Sequence, residues 1–182
     1  MALPIQDTAC LLEDNLNHLR VNFVQCRQIN LQHNRTASAH MAQMLAKLRH
    51  TNPIFLIQEP YLYQGRICNL PQGYMAHHSG TDARSAIVST KEVNLWFCPQ
   101  FSDRDQTTCI WKNPTGSEVI YITSIYMDIT NHDVLTDKFQ ELVAHCKDYG
   151  IPLVAGADTN AHSHLWGSNE PNRRGETLEE FI

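Results

Sequence analysis

Apolar residues recur along this chain at two spacings, and the switches between them mark out its elements. Residues 21–31 (VNFVQCRQINL) interleave Val, Phe, Val, Ile and Leu with polar residues, which predicts a strand. A helix follows, because Ala37, Met41, Met44, Leu45 and Leu48 fall at i, i+4, i+7, i+8 and i+11. Asn34 or Thr36 can cap its first turn, and Pro53 marks its exit. Residues 54–57 are wholly apolar and predict a central strand that ends in Gln58-Glu59-Pro60-Tyr61. Residues 61–83 hold Gly and Pro at intervals and read as a long loop.

Residues 84–90, 93–97, 107–111 and 118–126 read as further strands. The turn signal Asn113-Pro114-Thr115-Gly116 joins the last two into a hairpin. Asn131 opens a second helix, in which Leu135, Phe139, Leu142, Val143 and Cys146 repeat the spacing of the first, and Gly150 ends it. A buried strand over 151–155 then breaks at Gly156. Past Trp166 the chain is polar through Arg174, and 176–182 looks like the start of a third helix. Residues 1–20 read as a leader of low organisation with a short helix around 11–19. No repeat or linker divides 21–182, so one domain of α/β or α+β layers is expected.

Composition adds exclusions. Of 182 residues, 42% are apolar and 18% charged, which is ordinary for a globular chain. No apolar run approaches the ~20 residues of a membrane span, and the start lacks a basic segment followed by a long apolar core, so no membrane partner and no secretion are expected. The six cysteines form no CxxC pair and fit reduced thiols in a nuclear or cytoplasmic protein. A net charge of -5 argues against a protein that coats nucleic acid non-specifically. It leaves room for an enzyme that meets nucleic acid locally through a metal and a few arginines.

The candidate chemistry stands where predicted strands stop: near Asn30, at Glu59, at Tyr126, and at Asp158 and Asn160. A carboxylate such as Glu59 suits a hard cation like Mg²⁺. Asp158 could orient or deprotonate a water, a contribution of roughly 10²–10⁴-fold. The amides of Asn30 and Asn160 position groups without adding charge, and a tyrosine hydroxyl can donate to a phosphoryl oxygen. Together these groups suit metal-assisted hydrolysis of a phosphodiester. Each has a plainer reading: an exposed strand end for Glu59, packing for Tyr126, a cap or turn for Asn30, a self-bonded polar turn for Asp158 and Asn160. His162 and His164 could ligate Zn²⁺ with Asp158, although no cysteine or further histidine stands at zinc spacing. His77-His78 reads as a solvated loop pair, and Trp166 as an anchor buried under its loop.

The segments QCRQINLQHNRTAS, FLIQEPY, ARSAIV, AGADTNAHSHLWGS and NRRGETLEEFI, in that order, resemble the endonuclease domain of non-LTR retrotransposons, nearest to the site-selective arthropod type. That domain sits in the endonuclease/exonuclease/phosphatase superfamily. The resemblance implies a four-layer sandwich of two mixed β-sheets flanked by helices. It implies Mg²⁺-dependent nicking of DNA, with Mn²⁺ as a substitute metal, to prime reverse transcription by a reverse transcriptase in the same polyprotein. By motif it puts Asn30 and Glu59 at the metal, Tyr126 on the scissile phosphate, Asp158 on the attacking water, and Asn160 on the phosphate.

Arg35, Arg66, Arg84, Arg173 and Arg174 lie in or beside predicted loops and are expected to form a cationic rim for DNA, with His162 as a further substrate contact. In the family the chain continues into strands that carry a late aspartate and a Ser-Asp-His segment, and no residue up to Ile182 matches them. The expectation is therefore a sandwich without its C-terminal strands, an open sheet edge, and weak or absent nicking by these residues alone. An inactive relic and a phosphatase of the same superfamily are the alternative readings.

Overall fold

The structure, a computed structural model, describes residues 25–113, 115–131 and 133–182. The leader expected over 1–20 and the first four residues of the strand expected over 21–31 lie outside them. In chain order the described elements are β1 (Cys26–Asn30), α1 (Arg35–Leu48), β2 (Ile54–Gln58), β3 (Leu62–Tyr63), β4 (Arg66–Ile67), β5 (Tyr74–His77), β6 (Ser85–Thr90), β7 (Leu95–Phe97), β8 (Gln106–Lys112), β9 (Val119–Tyr126), α2 (Asp137–Tyr149), β10 (Leu153–Asp158) and α3 (Arg173–Phe181).

Two four-stranded sheets form, in the orders β1-β2-β6-β5 and β10-β9-β8-β7. Each is mixed: β1 runs parallel to β2 and β10 parallel to β9, and the remaining pairs are antiparallel. The period-2 alternation of a strand sends its side chains to opposite faces. Phe55 and Ile57 of β2 therefore pack under α1 with Met41 and Leu45, while Ile54 and Leu56 face the other sheet and meet Ile87, Trp111 and Ile122. On the far side α2 lays Phe139, Leu142 and Cys146 on Tyr121 and Ile125 of β9. The layers run α1, first sheet, second sheet, α2, which is the four-layer sandwich expected. Each fully buried Met or Leu contributes roughly 1.5–3 kcal/mol.

Capping explains the helix ends. The Asn34 side chain accepts from the Thr36 and Ala37 N–H groups and starts α1. Thr136, not Asn131, starts α2, because its hydroxyl accepts from the Phe139 N–H, and Leu135 lies ahead of the helix. Gly150 closes α2 at φ +63. Asn172 caps α3, whose first residue, Arg173, stands three residues before the position expected. The hairpin predicted around 113–116 is present, with β8 paired to β9 from Gln106↔Ile125 to Lys112↔Val119.

Three expectations are corrected. Residues 61–83 are not all loop: they hold β3, β4 and β5, and β5 pairs with β6 as the outer strand of its sheet. His77 is the half-buried last residue of β5, with its ring stacked on Phe97 at 6.4 Å. Gly156 does not break its strand. It sits inside β10, where a Cβ would fall 2.6 Å from Leu56 Cδ1 of the facing sheet. That glycine is required by the approach of one sheet to the other, and β10 is half-buried because it lies at the outer edge of its sheet. Among the described residues no helix is long and apolar enough to cross a membrane.

Replacing Gly156 with Ala should lower unfolding stability by about 1–3 kcal/mol, the usual effect of overpacking. Urea denaturation measures this, and an unchanged midpoint would show that Leu56 moves aside freely.

Candidate active site

The two sheets are joined at one end by polar side chains rather than apolar ones. The Gln28 amide of β1 donates to the Ala157 carbonyl of β10 at 2.8 Å. The fully buried Gln58 amide donates to Ser124 Oγ at 3.0 Å and to the Gly156 carbonyl at 3.1 Å, and Ser124 Oγ donates back to the Ile57 carbonyl. Ser85 and Thr107 pair in the same way at 2.9 Å. Alternation places Asn30 two residues beyond Gln28 on the same face, and its Nδ2 donates to Asp158 Oδ2 at 2.5 Å. That bond brings the ends of β1 and β10 together. Parallel pairing sets Asn30 beside Gln58 and Asp158 beside Tyr126, so four strands deliver their polar ends to one place.

Glu59 follows β2 in the left-handed region, at φ +48. For a bulky side chain this costs on the order of 1–3 kcal/mol and persists only where the surroundings fix it. Here the Glu59 N–H donates to the Arg84 carbonyl, and its own carbonyl accepts from the His33 N–H, both at 2.8 Å. The Glu59 side chain is 19% exposed, with Oε1 3.6 Å from the half-exposed His33 ring. Asn160 is also left-handed, at φ +50. Its N–H donates to Asp158 Oδ1 at 3.3 Å and its Nδ2 to the Met127 carbonyl at 3.0 Å.

Tyr126 stands among these charges. Burial raises its phenol above the usual value, Glu59 and Asp128 raise it further, Arg84 lowers it, and Asp158 adds a smaller rise. Glu59 and Asp158 are thus both felt by one phenol, and the group is a protonated donor at neutral pH. Arg84 grips Asp105 with two bonds of 2.5 and 2.6 Å and also bonds Asp128, while its guanidinium lies 4.8 Å from the centre of the Tyr126 ring. Arg84 first, then the N–H and hydroxyl of Thr130, hold the Asp128 carboxyl well below the usual carboxylate range.

The five arginines of the expected rim part company. Arg35, Arg66 and Arg173 are exposed. Arg84 is 13% exposed and engaged by two carboxylates. Arg174 is half-buried and donates to the carbonyls of Thr159, Asn131 and Met127, which ties α3 to the Asp158 loop and the segment after β9. His162 is exposed, with its Nδ1 3.3 Å from Ser168 Oγ. Trp166 is 41% exposed, so burial does not anchor its loop; its indole N–H donates to the Ala161 carbonyl, and the buried residue there is Ser163.

Among the described residues no group of three or more His, Cys, Asp and Glu gathers to hold a metal ion, so the Zn²⁺ set of Asp158, His162 and His164 does not form. Glu59 instead offers one carboxylate, and Asn30 one amide oxygen that accepts the Gln32 N–H at 2.7 Å and keeps a second lone pair. That donor set fits Mg²⁺, which is commonly held by one or two carboxylates, retained waters and substrate phosphates.

Two facing mixed sheets between helices, with polar strand ends gathered at one end, define a fold of the endonuclease/exonuclease/phosphatase type. Residues 120–182 match the family model described as Endonuclease-reverse transcriptase. The endonuclease domain of TRAS1, a telomere-specific non-LTR retrotransposon, superposes with a TM-score of 0.65 at 23% identity, over 85% of this chain and 67% of that one. The mannosyl-6-phosphatase Bt3783 of Bacteroides thetaiotaomicron VPI-5482 superposes with a TM-score of 0.51 at 19% identity, over 76% of this chain and 66% of that one. The chain therefore spans about two thirds of the length of each. No curated protein sequence matches it. The resemblance read from the motifs is borne out by a shared fold over 85% of the chain and by the family-model match over residues 120–182.

Sequence reasoning passed over Gln28, Gln58, Asp105 and Asp128. Gln28 and Asn30 share one face of a strand whose other face holds Ile29, and that alternation was a readable signal. Nothing local marked the polar face as the inner one. Because the Asp128 carboxyl is depressed, it adds stability above the ordinary carboxylate range, and this is lost as pH falls below about 4. Asp128→Asn should therefore flatten the acid side of the stability curve in urea melts at successive pH values. An acid slope equal to that of the wild type would contradict the Arg84–Asp128 pairing.

Proposed function

We propose that the chain is a Mg²⁺-dependent DNA endonuclease domain that nicks its target by phosphodiester hydrolysis, the break serving to prime reverse transcription. The observation that carries this reading is the Asn30–Asp158 bond across the two sheets, which gathers a metal-type carboxylate, a water-orienting carboxylate and a phenol donor at one set of strand ends. The Endonuclease-reverse transcriptase match over residues 120–182 supports it.

Glu59 and Asn30 would hold the Mg²⁺, which supplies Lewis-acid neutralisation of charge on the phosphoryl oxygens. Asp158, fixed by Asn30 on one oxygen and by the Asn160 N–H on the other, orients the attacking water and takes up its proton as the new P–O bond forms; the bond from phosphorus to one sugar oxygen breaks, and that oxygen takes a proton from solvent. Tyr126 donates its hydroxyl proton in a hydrogen bond to a non-bridging oxygen. Asn160 commits one amide proton to Met127 and has a second to give to the phosphate. Arg35, Arg66 and Arg173 are the exposed cations available to flanking phosphates, with His162 beside them in the substrate-binding role.

A fold shared with a phosphatase does not choose between substrates, so the test offers both. Purified protein is given supercoiled plasmid and, separately, p-nitrophenyl phosphate. Expected are a few nicked circles that require Mg²⁺, vanish with EDTA and are lost on Asp158→Ala, with the monoester untouched. Even weak nicking meets this standard. Turnover of the monoester alone would transfer the chain to the phosphatases, and turnover of neither by folded protein would contradict an enzymatic role for these 182 residues.

A further inference from the structure

We propose that Arg84 is a positioning residue for Tyr126 and not one of the cations that meet DNA. This rests on the reading of Tyr126 as the phosphate donor. Arg84 stands at the entrance to β6 in the first sheet, and its backbone carbonyl accepts the Glu59 N–H. Its side chain crosses to the second sheet. There it bonds Asp105, just before β8, through Nε and Nη2, and Asp128, just after β9, through Nη1. The Tyr126 N–H donates to the Asp105 carbonyl at 2.8 Å, and the guanidinium lies 4.8 Å from the centre of the Tyr126 ring. One residue therefore fixes the backbone of Glu59 and covers the ring of Tyr126, while its partner Asp105 holds the tyrosine's backbone.

The same contacts argue against a role in DNA binding. All three guanidinium nitrogens are engaged by carboxylates, and the side chain is 13% exposed. Two carboxylates against one guanidinium leave the cluster net negative, so it does not attract phosphate. The planar fork that grips a carboxylate while its face covers a ring is available to Arg and not to Lys.

The test compares wild type, Arg84→Lys, Asp105→Asn, Tyr126→Phe and the Arg84→Lys/Tyr126→Phe double variant. Ring ¹³C-labelled tyrosine gives an NMR signal for Tyr126, assigned by its loss in Tyr126→Phe. Arg84→Lys is expected to shift and broaden that signal. In nicking assays it should lower kcat by about tenfold or more, because small misplacements of a reacting group are costly. KM for DNA and its salt dependence should not change. Added to Tyr126→Phe, it should cause no further loss. A ring signal that does not move would overturn the proposal whatever the activity. So would a rise in KM with a salt slope shallower by about one unit, the mark of a phosphate contact. If Arg84→Lys does not fold, Asp105→Asn keeps the guanidinium but loosens its fork, and the same ring shift decides. Wild-type nicking by Tyr126→Phe would instead remove Tyr126 from the proposed function, an outcome separate from the ring measurement.

Discussion

The hydrogen bonds that cross between the two sheets at one end are the constraint on which this molecule depends. An apolar interface between flat layers favours contact but is indifferent to small sliding displacements. Amides and hydroxyls are not. Gln58 reaches Ser124 and Gly156, Gln28 reaches Ala157, and Asn30 reaches Asp158, each across the interface. A slip of one residue would leave several buried polar groups unpaired, at about 1–3 kcal/mol each. The apolar contacts of Leu56, Ile87, Trp111 and Ile122 hold the layers together, and the polar end fixes their register. The last bond in that series belongs to the site itself, so sheet register and site geometry are a single property.

The electrostatics of that end follow from the same arrangement. Glu59, Asp128 and Asp158 act on Tyr126, and the arginine among them is already paired with Asp105 and Asp128. An anion arriving there would meet net negative charge, which a divalent cation would offset. The backbone is bent to suit: Glu59, just past the central strand β2, and Asn160, just past the edge strand β10 of the other sheet, both stand in the left-handed region. Neither bend is free to relax: the Glu59 backbone is bonded to Arg84 and His33, and the Asn160 carbonyl accepts from the Asn172 side chain.

Much of this was legible in the sequence. Helical spacing located α1 and α2, and the wholly apolar run 54–57 located the central strand β2. The polar residues at strand ends named a set that the fold does gather. What the sequence hid was direction and distance. Period-2 spacing shows that Gln28 and Asn30 share a face but not that the face looks inward. Gly156 read as a break because local rules cannot see Leu56 arriving from another sheet. The partners of Arg84 and Arg174, at Asp105, Asp128 and the Met127 carbonyl, were hidden as well, because they are 21 or more residues away.

The central claim is that Asn30, Glu59, Tyr126 and Asp158 surround a single cation-binding end, and paramagnetic relaxation by Mn²⁺ tests it most directly. In a titration followed by ¹⁵N and ¹³C NMR, saturable broadening should begin at Glu59 and Asn30, extend to Tyr126 and Asp158, and spare α2 and the β8–β9 turn. Mg²⁺ should reverse it by competition. Broadening centred on His162 and His164, or none that saturates, would contradict the account.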